Sequence, residues 1–432
     1  MLGIIQLMPS IAGLNPREST VKLSALLDLQ LVALQQADSV DVLVELTAPV
    51  ATGTAARPPA TLQVVLDRSG SMAGDRLDTA VTALLALVDR LEPADNLGVV
   101  AFDDTVQVVV PAGPLTDKDA VRTALRSITP GGRTDLSAGY LRGLQEARRV
   151  CGAAGATLLL VSDGHANAGV VDPDTLRGVA AKARGVGVGT TTLGLGLGYD
   201  EALLDALAHG GGGSTLFAEE ADTASALIAG EVDGLLDQVA QAVTLRVVPG
   251  PDVRSVQLLN DLPTSTVDGG VTIELGSFLS GETRKLVLRV LVPGMDALGL
   301  AKVATLELVH VALPELVQHN TTLDVHVNVV PADLAAGRVP DPVVTQESLL
   351  QSAQAAKRQA SRLLGRGEVD EAVSTLRTAA LLLASTPALA GEVDALEAVA
   401  ADALAGRIDR AAKTAMTASA MTSRFSGRAP RR

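Results

Sequence analysis

Asp67, Ser69 and Ser71 sit at alternate positions in Asp67-Arg68-Ser69-Gly70-Ser71, directly after the apolar run Leu62-Gln63-Val64-Val65-Leu66. That spacing puts one carboxylate and two hydroxyls on a tight loop at the end of what reads as a buried strand. An oxygen-only cluster of this kind suits a hard divalent cation such as Mg²⁺. Two more oxygen donors occupy comparable places. Thr134 lies in the loop Gly131-Gly132-Arg133-Thr134-Asp135, and Asp163 follows the strand-like Thr157-Leu158-Leu159-Leu160-Val161 and precedes Gly164. The same residue types also cap helices with no metal present, so the chemistry depends on whether the three loops meet.

The elements that would make them meet lie between residues 61 and 240, where short continuous apolar runs alternate with helical patterns. Strands are expected near 62–66, 97–102, 105–110, 156–161, 188–194 and 214–217. Helices are expected near 75–91, 117–127, 137–151, 173–184, 200–208 and 222–239. Such alternation predicts a mostly parallel sheet covered on both faces. Residues 98–110, with Asp103-Asp104 in the turn, read as a hairpin supplying one antiparallel edge. Ligands of these sheets sit at the carboxyl ends of the strands, and Asp67, Thr134 and Asp163 all fall near such ends.

In that order, Asp67-x-Ser69-x-Ser71, Thr134 and Asp163 resemble the metal-ion-dependent adhesion site of von Willebrand factor type A domains. The likeness covers roughly residues 60–240. It implies a doubly wound, Rossmann-like α/β domain that binds a partner protein through bound Mg²⁺ or Mn²⁺. It also implies that Ser69 and Ser71 bind the ion directly, that Thr134 does so when a partner is engaged, and that Asp67 and Asp163 act through water. With neutral hydroxyls around it the ion stays electrophilic and can accept a Glu or Asp carboxylate from another protein. The run Gly194-Leu195-Gly196-Leu197-Gly198 lacks dinucleotide-loop spacing, so no cofactor-binding residue is assigned. Asp135 reads as a helix cap, His165 as a surface loop residue and Cys151 as packing.

Outside 58–240 the pattern is different. Val21, Leu23, Ala25, Leu27, Leu29 and Leu31 alternate with mostly polar neighbours, as do Val40, Val42, Val44 and Leu46, and as do residues 286–292 and 323–329. This period of two predicts half-buried strands with one wet face. Two strands alone are marginal in water, so the strands of 19–57 are expected to join 241–335 in one β-sandwich, with the 58–240 domain inserted into it. Residues 346–424, rich in Ala and Leu and broken at Gly365–Glu368 and Ser385–Pro387, read as four helices, the first two resembling a tetratricopeptide-type pair. Residues 1–18 read as an irregular leader and 425–432 as a disordered basic tail.

Composition narrows the function. With no Trp, 2 Tyr and 4 Phe in 432 residues, the cores must be aliphatic. A net charge of −14 argues against general nucleic-acid binding, which needs cationic surface. No apolar run approaches a membrane span, and no Lys or Arg precedes Arg17, so a secretory signal is not expected and a cytoplasmic location is. The order of sandwich, type A domain and helices resembles that of bacterial cytoplasmic type A proteins. The expectation is a non-enzymatic, Mg²⁺-dependent interaction module whose partner supplies an acidic side chain. The alternatives are a metal-stabilised scaffold that docks through its helical domain, and a metal-dependent hydrolase using Asp67 or Ser71. Against the last, no His, Cys or Lys base stands at a recognisable spacing and G-x-S-x-G is absent.

Overall fold

The computed structural model describes residues 20–51, 57–219, 221–267 and 269–424. The expected leader and tail therefore lie outside the described residues. In chain order the strands begin with β1 (Lys22–Leu27), β2 (Leu31–Ala33) and β3 (Asp38–Thr47). The α/β region follows: β4 (Thr61–Asp67), α1 (Asp75–Arg90), β5 (Asn96–Phe102), β6 (Val106–Pro114), α2 (Lys118–Arg126), α3 (Leu136–Val150), β7 (Ala156–Ser162), α4 (Pro173–Arg184), β8 (Val188–Leu195), α5 (Glu201–Gly211), β9 (Gly212–Ala218) and α6 (Ala221–Leu236).

These strands form one sheet in the order β6-β5-β4-β7-β8-β9, parallel except for the antiparallel β6 edge. β4 is buried at every position, as a central parallel strand between two helical layers must be. Its side chains divide between two cores. Val64 and Leu66 pack with Leu77, Leu84 and Val88 of α1 and Ile228 of α6. Val65 packs with Tyr140 and Leu144 of α3 and Leu176 of α4. The strand order reverses at β4, so the carboxyl ends of β4 and β7 flank the point where such sheets open a ligand crevice. α6 ends at Leu236 rather than 239, because the chain enters a strand at Gln238.

The remaining strands are β10 (Gln238–Pro249), β11 (Ser255–Leu258), β12 (Thr264–Val267), β13 (Gly270–Leu279), β14 (Thr283–Val292), β15 (Gly299–Ala312) and β16 (Val317–Val330). They combine with the first three into two sheets, β1-β3-β14-β11 and β12-β13-β10-β15-β16-β2. Strands on either side of the α/β region pair directly: Val40, Val42 and Val44 of β3 face Val290, Leu288 and Leu286 of β14. Residues of both sheets share one hydrophobic core, among them Val42, Leu288, Leu245, Ile273, Leu306 and Val327.

Two details depart from the sequence reading. The alternation from Val21 to Leu31 predicts a single strand, but Asp28 interrupts it. Its Oδ1 accepts from the backbone N–H groups of Leu29 at 2.7 Å and Asp41 at 2.8 Å, and β2 then crosses to run parallel with β16 in the other sheet. The wet face expected for β3 is also dry. Leu43 and Val287, which point away from the shared core, are covered by Val344, the third residue of α8 (Pro342–Gly365).

After a short α7 (Ala332–Ala335), α8, α9 (Val369–Leu383), α10 (Ala390–Leu404) and α11 (Ile408–Arg424) share one core built from Ala353, Leu364, Leu376, Leu396, Ala400 and Ala411 among others. A buried charge crosses it: Lys357 of α8 meets Glu392 of α10 at 2.7 Å. No helix among the described residues is long and apolar enough to cross a membrane.

Candidate metal centre

The loop after β4 is shaped by its own first residue. Asp67 is fully buried, and its Oδ1 accepts from the Ser69 N–H at 2.8 Å, folding the chain back on itself. Oδ2 accepts from the Ser162 hydroxyl at 2.6 Å, which ties the end of β4 to the end of β7. The two serine hydroxyls lie 3.2 Å apart, and Ser71 Oγ donates to Asp163 Oδ1 at 2.7 Å. The loop holding Thr134 is bound to the same place. Gly131 N–H donates to Arg68 O at 2.7 Å and Gly70 N–H to Gly132 O at 3.0 Å. A Cβ at Gly131 would lie 1.9 Å from Asp103 Oδ2, so a larger residue there would have to displace that carboxylate.

Thr134 is oriented by a reciprocal pair of bonds with Asn167: its N–H donates to Asn167 Oδ1 at 3.0 Å, and its carbonyl accepts from Asn167 N–H at 3.1 Å. Its hydroxyl faces Gly164, where an added Cβ would lie 3.2 Å from Ser71 Oγ and 3.6 Å from Thr134 Oγ1. Thus the structure brings Asp67, Ser69, Ser71, Thr134 and Asp163 to one place at the carboxyl ends of β4 and β7. Asp67, Ser69, Thr134 and Asp163 are all buried.

The electrostatics point to a cation. Burial pushes the Asp67 carboxyl above the ordinary carboxylate range. Hydrogen bonds from Ser162 and Ser69 act against that push, and the Asp163 charge adds to it. One of the two buried carboxylates is met by a side-chain cation: Arg76 Nη1 reaches Asp163 Oδ2. A hard divalent ion would lower the cost of keeping both ionised. The donors are all oxygen, which suits a hard ion, and among the described residues no group of three or more His, Cys, Asp and Glu side chains that could hold a metal ion assembles. The five residues therefore fit Mg²⁺ or Mn²⁺.

Several neighbours match their expected roles. Asp135 caps α3, accepting from Ala138 N–H at 2.9 Å and from Ser137 Oγ at 2.8 Å. The His165 side chain is 68% exposed. Cys151 ends α3 against the core with its thiol pushed up by burial, the reverse of an activated nucleophile. The glycines of 194–198 make room for side chains: a Cβ at Gly194 would meet the Tyr199 ring at 2.6 Å.

Sequence reasoning missed Arg76, Ser162, Asn167 and Lys413. Arg76 and Ser162 each left a signal, a cation in the first turn of a helix and a polar residue ending an apolar run. Lys413 of α11 left none. It is buried and donates to Tyr199 O at 2.9 Å and to Glu201 Oε2 at 2.7 Å, docking the last helix beside the 196–201 loop. Lys413→Met is expected to lower stability by about 2 kcal/mol, because it strands both acceptors. Urea melts that superimpose with wild type would contradict this anchor.

Residues 62–165 match the family model of the von Willebrand factor type A domain. The uncharacterized protein sll0103 of Synechocystis sp. is 27% identical over 258 residues, which cover 56% of this chain and 60% of that protein. YfbK of Escherichia coli, also uncharacterized, is 28% identical over 45% of this chain and 34% of its own length. Inter-alpha-trypsin inhibitor heavy chain H3 of Mesocricetus auratus is 31% identical over 29% of this chain and 15% of its own. The chain thus spans less than two thirds of these relatives. Among solved structures, a von Willebrand factor type A protein from Catenulispora acidiphila superimposes with a TM-score of 0.74 at 16% identity, over 95% of this chain and 99% of that one. The ArnB paralog VWA2 from Sulfolobus acidocaldarius does so with a TM-score of 0.66 at 15% identity, over 94% and 99%. Both share the fold. The chain contains a von Willebrand factor type A domain.

Proposed function

We propose that this chain is a cytoplasmic, Mg²⁺-dependent protein-interaction module that does no chemistry on its partner. The observation that carries this reading is the meeting of two buried carboxylates with the hydroxyls of Ser69, Ser71 and Thr134 at the open end of the sheet. Von Willebrand factor type A domains generally mediate protein–protein interaction and adhesion, which supports it. Ser69, Ser71 and Thr134 would hold Mg²⁺ or Mn²⁺, with Asp67 and Asp163 supplying the compensating charge. When bound, the ion supplies a Lewis-acidic position that a partner's Glu or Asp carboxylate can complete. Asp67 and Ser162 hold the ends of β4 and β7 in register, while Asn167 keeps Thr134 facing inward.

We further infer that the two mainly antiparallel sheets form one β-sandwich interrupted by the type A domain, and that α8–α11 form a separate helical domain. The scaffold alternative has one observation in its favour. A groove of about 480 Å³ runs between α8 and α9, lined by Leu349, Ala353, Leu382 and Leu383. A pull-down with the full chain in Mg²⁺ and in EDTA separates the two readings. Capture is expected in Mg²⁺ and lost in EDTA, and weakened in Thr134→Ala. Capture indifferent to both would move the docking surface to the helices.

A further inference from the structure

We propose that Arg76 is the resident counter-ion of the metal centre and sets its affinity for divalent cations. This rests on the reading of Asp67, Ser69, Ser71, Thr134 and Asp163 as the metal site. Arg76 is the second residue of α1, where the positive end of the helix dipole disfavours a cation. Local bonds hold it there. Nη1 reaches Asp163 Oδ2 and also donates to Ser71 O at 3.3 Å. The opposite side of the guanidinium lies against the backbone of Gly196. That residue has φ +66°, and an added Cβ there would lie 2.9 Å from Nη2 and 3.3 Å from Cζ. The end of β8 is thus shaped around the guanidinium.

The charges follow from this placement. With both carboxylates ionised, Asp67 and Asp163 would contribute two negative charges and Arg76 one positive, leaving one net negative charge rather than two. The nearby Arg68 is matched by Asp103 at 3.2 Å. The metal-free protein therefore does not depend on an ion to keep two buried carboxylates together. An incoming divalent cation meets a like charge already on Asp163 Oδ2 and must share or displace it, which weakens binding. Once loaded, the site carries one net positive charge instead of none. That local sign attracts an acidic partner in a chain whose overall charge is −14.

The test is Mg²⁺ and Mn²⁺ calorimetry on wild type, Arg76→Gln and Arg76→Lys, with thermal melts in EDTA. Arg76→Gln is expected to bind Mg²⁺ at least tenfold more tightly than wild type and to melt lower in EDTA, with Mg²⁺ closing the gap. Arg76→Lys keeps the charge and should stay within about threefold of wild-type affinity. If wild type binds Mg²⁺ and Arg76→Gln binds it equally or more weakly, Arg76 is a strut for Asp163 and this inference alone fails. A tenfold gain in both variants would assign the effect to geometry instead of charge and also overturn it. No binding by any of the three proteins would defeat the metal-site reading itself, and this inference with it.

Discussion

Replacing Asp67 and Ser69 together by alanine is expected to abolish Mg²⁺ and Mn²⁺ binding in calorimetry while leaving the far-ultraviolet circular dichroism unchanged. The double variant removes one of the two carboxylates and one of the three hydroxyls. It leaves the cores on both faces of β4 intact, since Val64, Val65 and Leu66 are untouched. The fold should tolerate the change because Asp67 is costly where it stands. Its carboxyl is raised from the ordinary 3.8, chiefly by burial. A group whose folded pKa is raised contributes stability below its unfolded value and loses it as pH rises through the folded one. Burial thus disfavours the ionised carboxylate in the metal-free wild type, a penalty the variant lacks. Bound metal reverses that cost. At a hundredfold excess over Kd, Mg²⁺ should stabilise wild type by roughly 2.7 kcal/mol and the variant by nothing. Unchanged metal affinity in the variant would sink the site assignment.

Removing residues 1–55 should make the remaining chain aggregate. The deletion takes β1, β2 and β3 from two different sheets. β14 loses its partner over the whole stretch from Thr283 to Val292. The shared core loses Val40, Val42, Val44 and Leu46, exposing Leu286, Leu288 and Val290 on an unpaired edge. A long, flat, apolar edge is a template for intermolecular pairing. By contrast, residues 58–240 alone should fold, because that sheet pairs only with itself. A monomeric deletion product that melts cooperatively would show that the first strands are not integral to the two facing sheets.

The legible parts of the molecule were those whose signal is local. All six strands of the type A sheet were readable as apolar runs, and Asp67, Ser69, Ser71 and Asp163 because they end or follow a strand; Thr134 instead lies just before α3, well past the end of β6. What the sequence hid was contact across distance. Arg76 reaches Asp163 over 87 residues and Ser162 reaches Asp67 over 95. No periodicity reports such pairs, although an arginine opening a helix was an anomaly that asked for a partner. The outer face of β3 was misread for the same reason. Its pattern is that of a half-wet strand, but the cover, Val344, comes three hundred residues later. Asp28 broke an otherwise regular alternation through its own side-chain bonds to Leu29 and Asp41, a turn chemistry that hydropathy does not register.

The central claim is that one divalent ion sits among Asp67, Ser69, Ser71, Thr134 and Asp163. Electron paramagnetic resonance of Mn²⁺ titrated into the full chain tests it most directly. The expected result is one Mn²⁺ per chain, displaced competitively by Mg²⁺, with clearly weaker binding in Thr134→Ala. Absence of bound Mn²⁺, or binding that Mg²⁺ does not displace and Thr134→Ala does not alter, would contradict it.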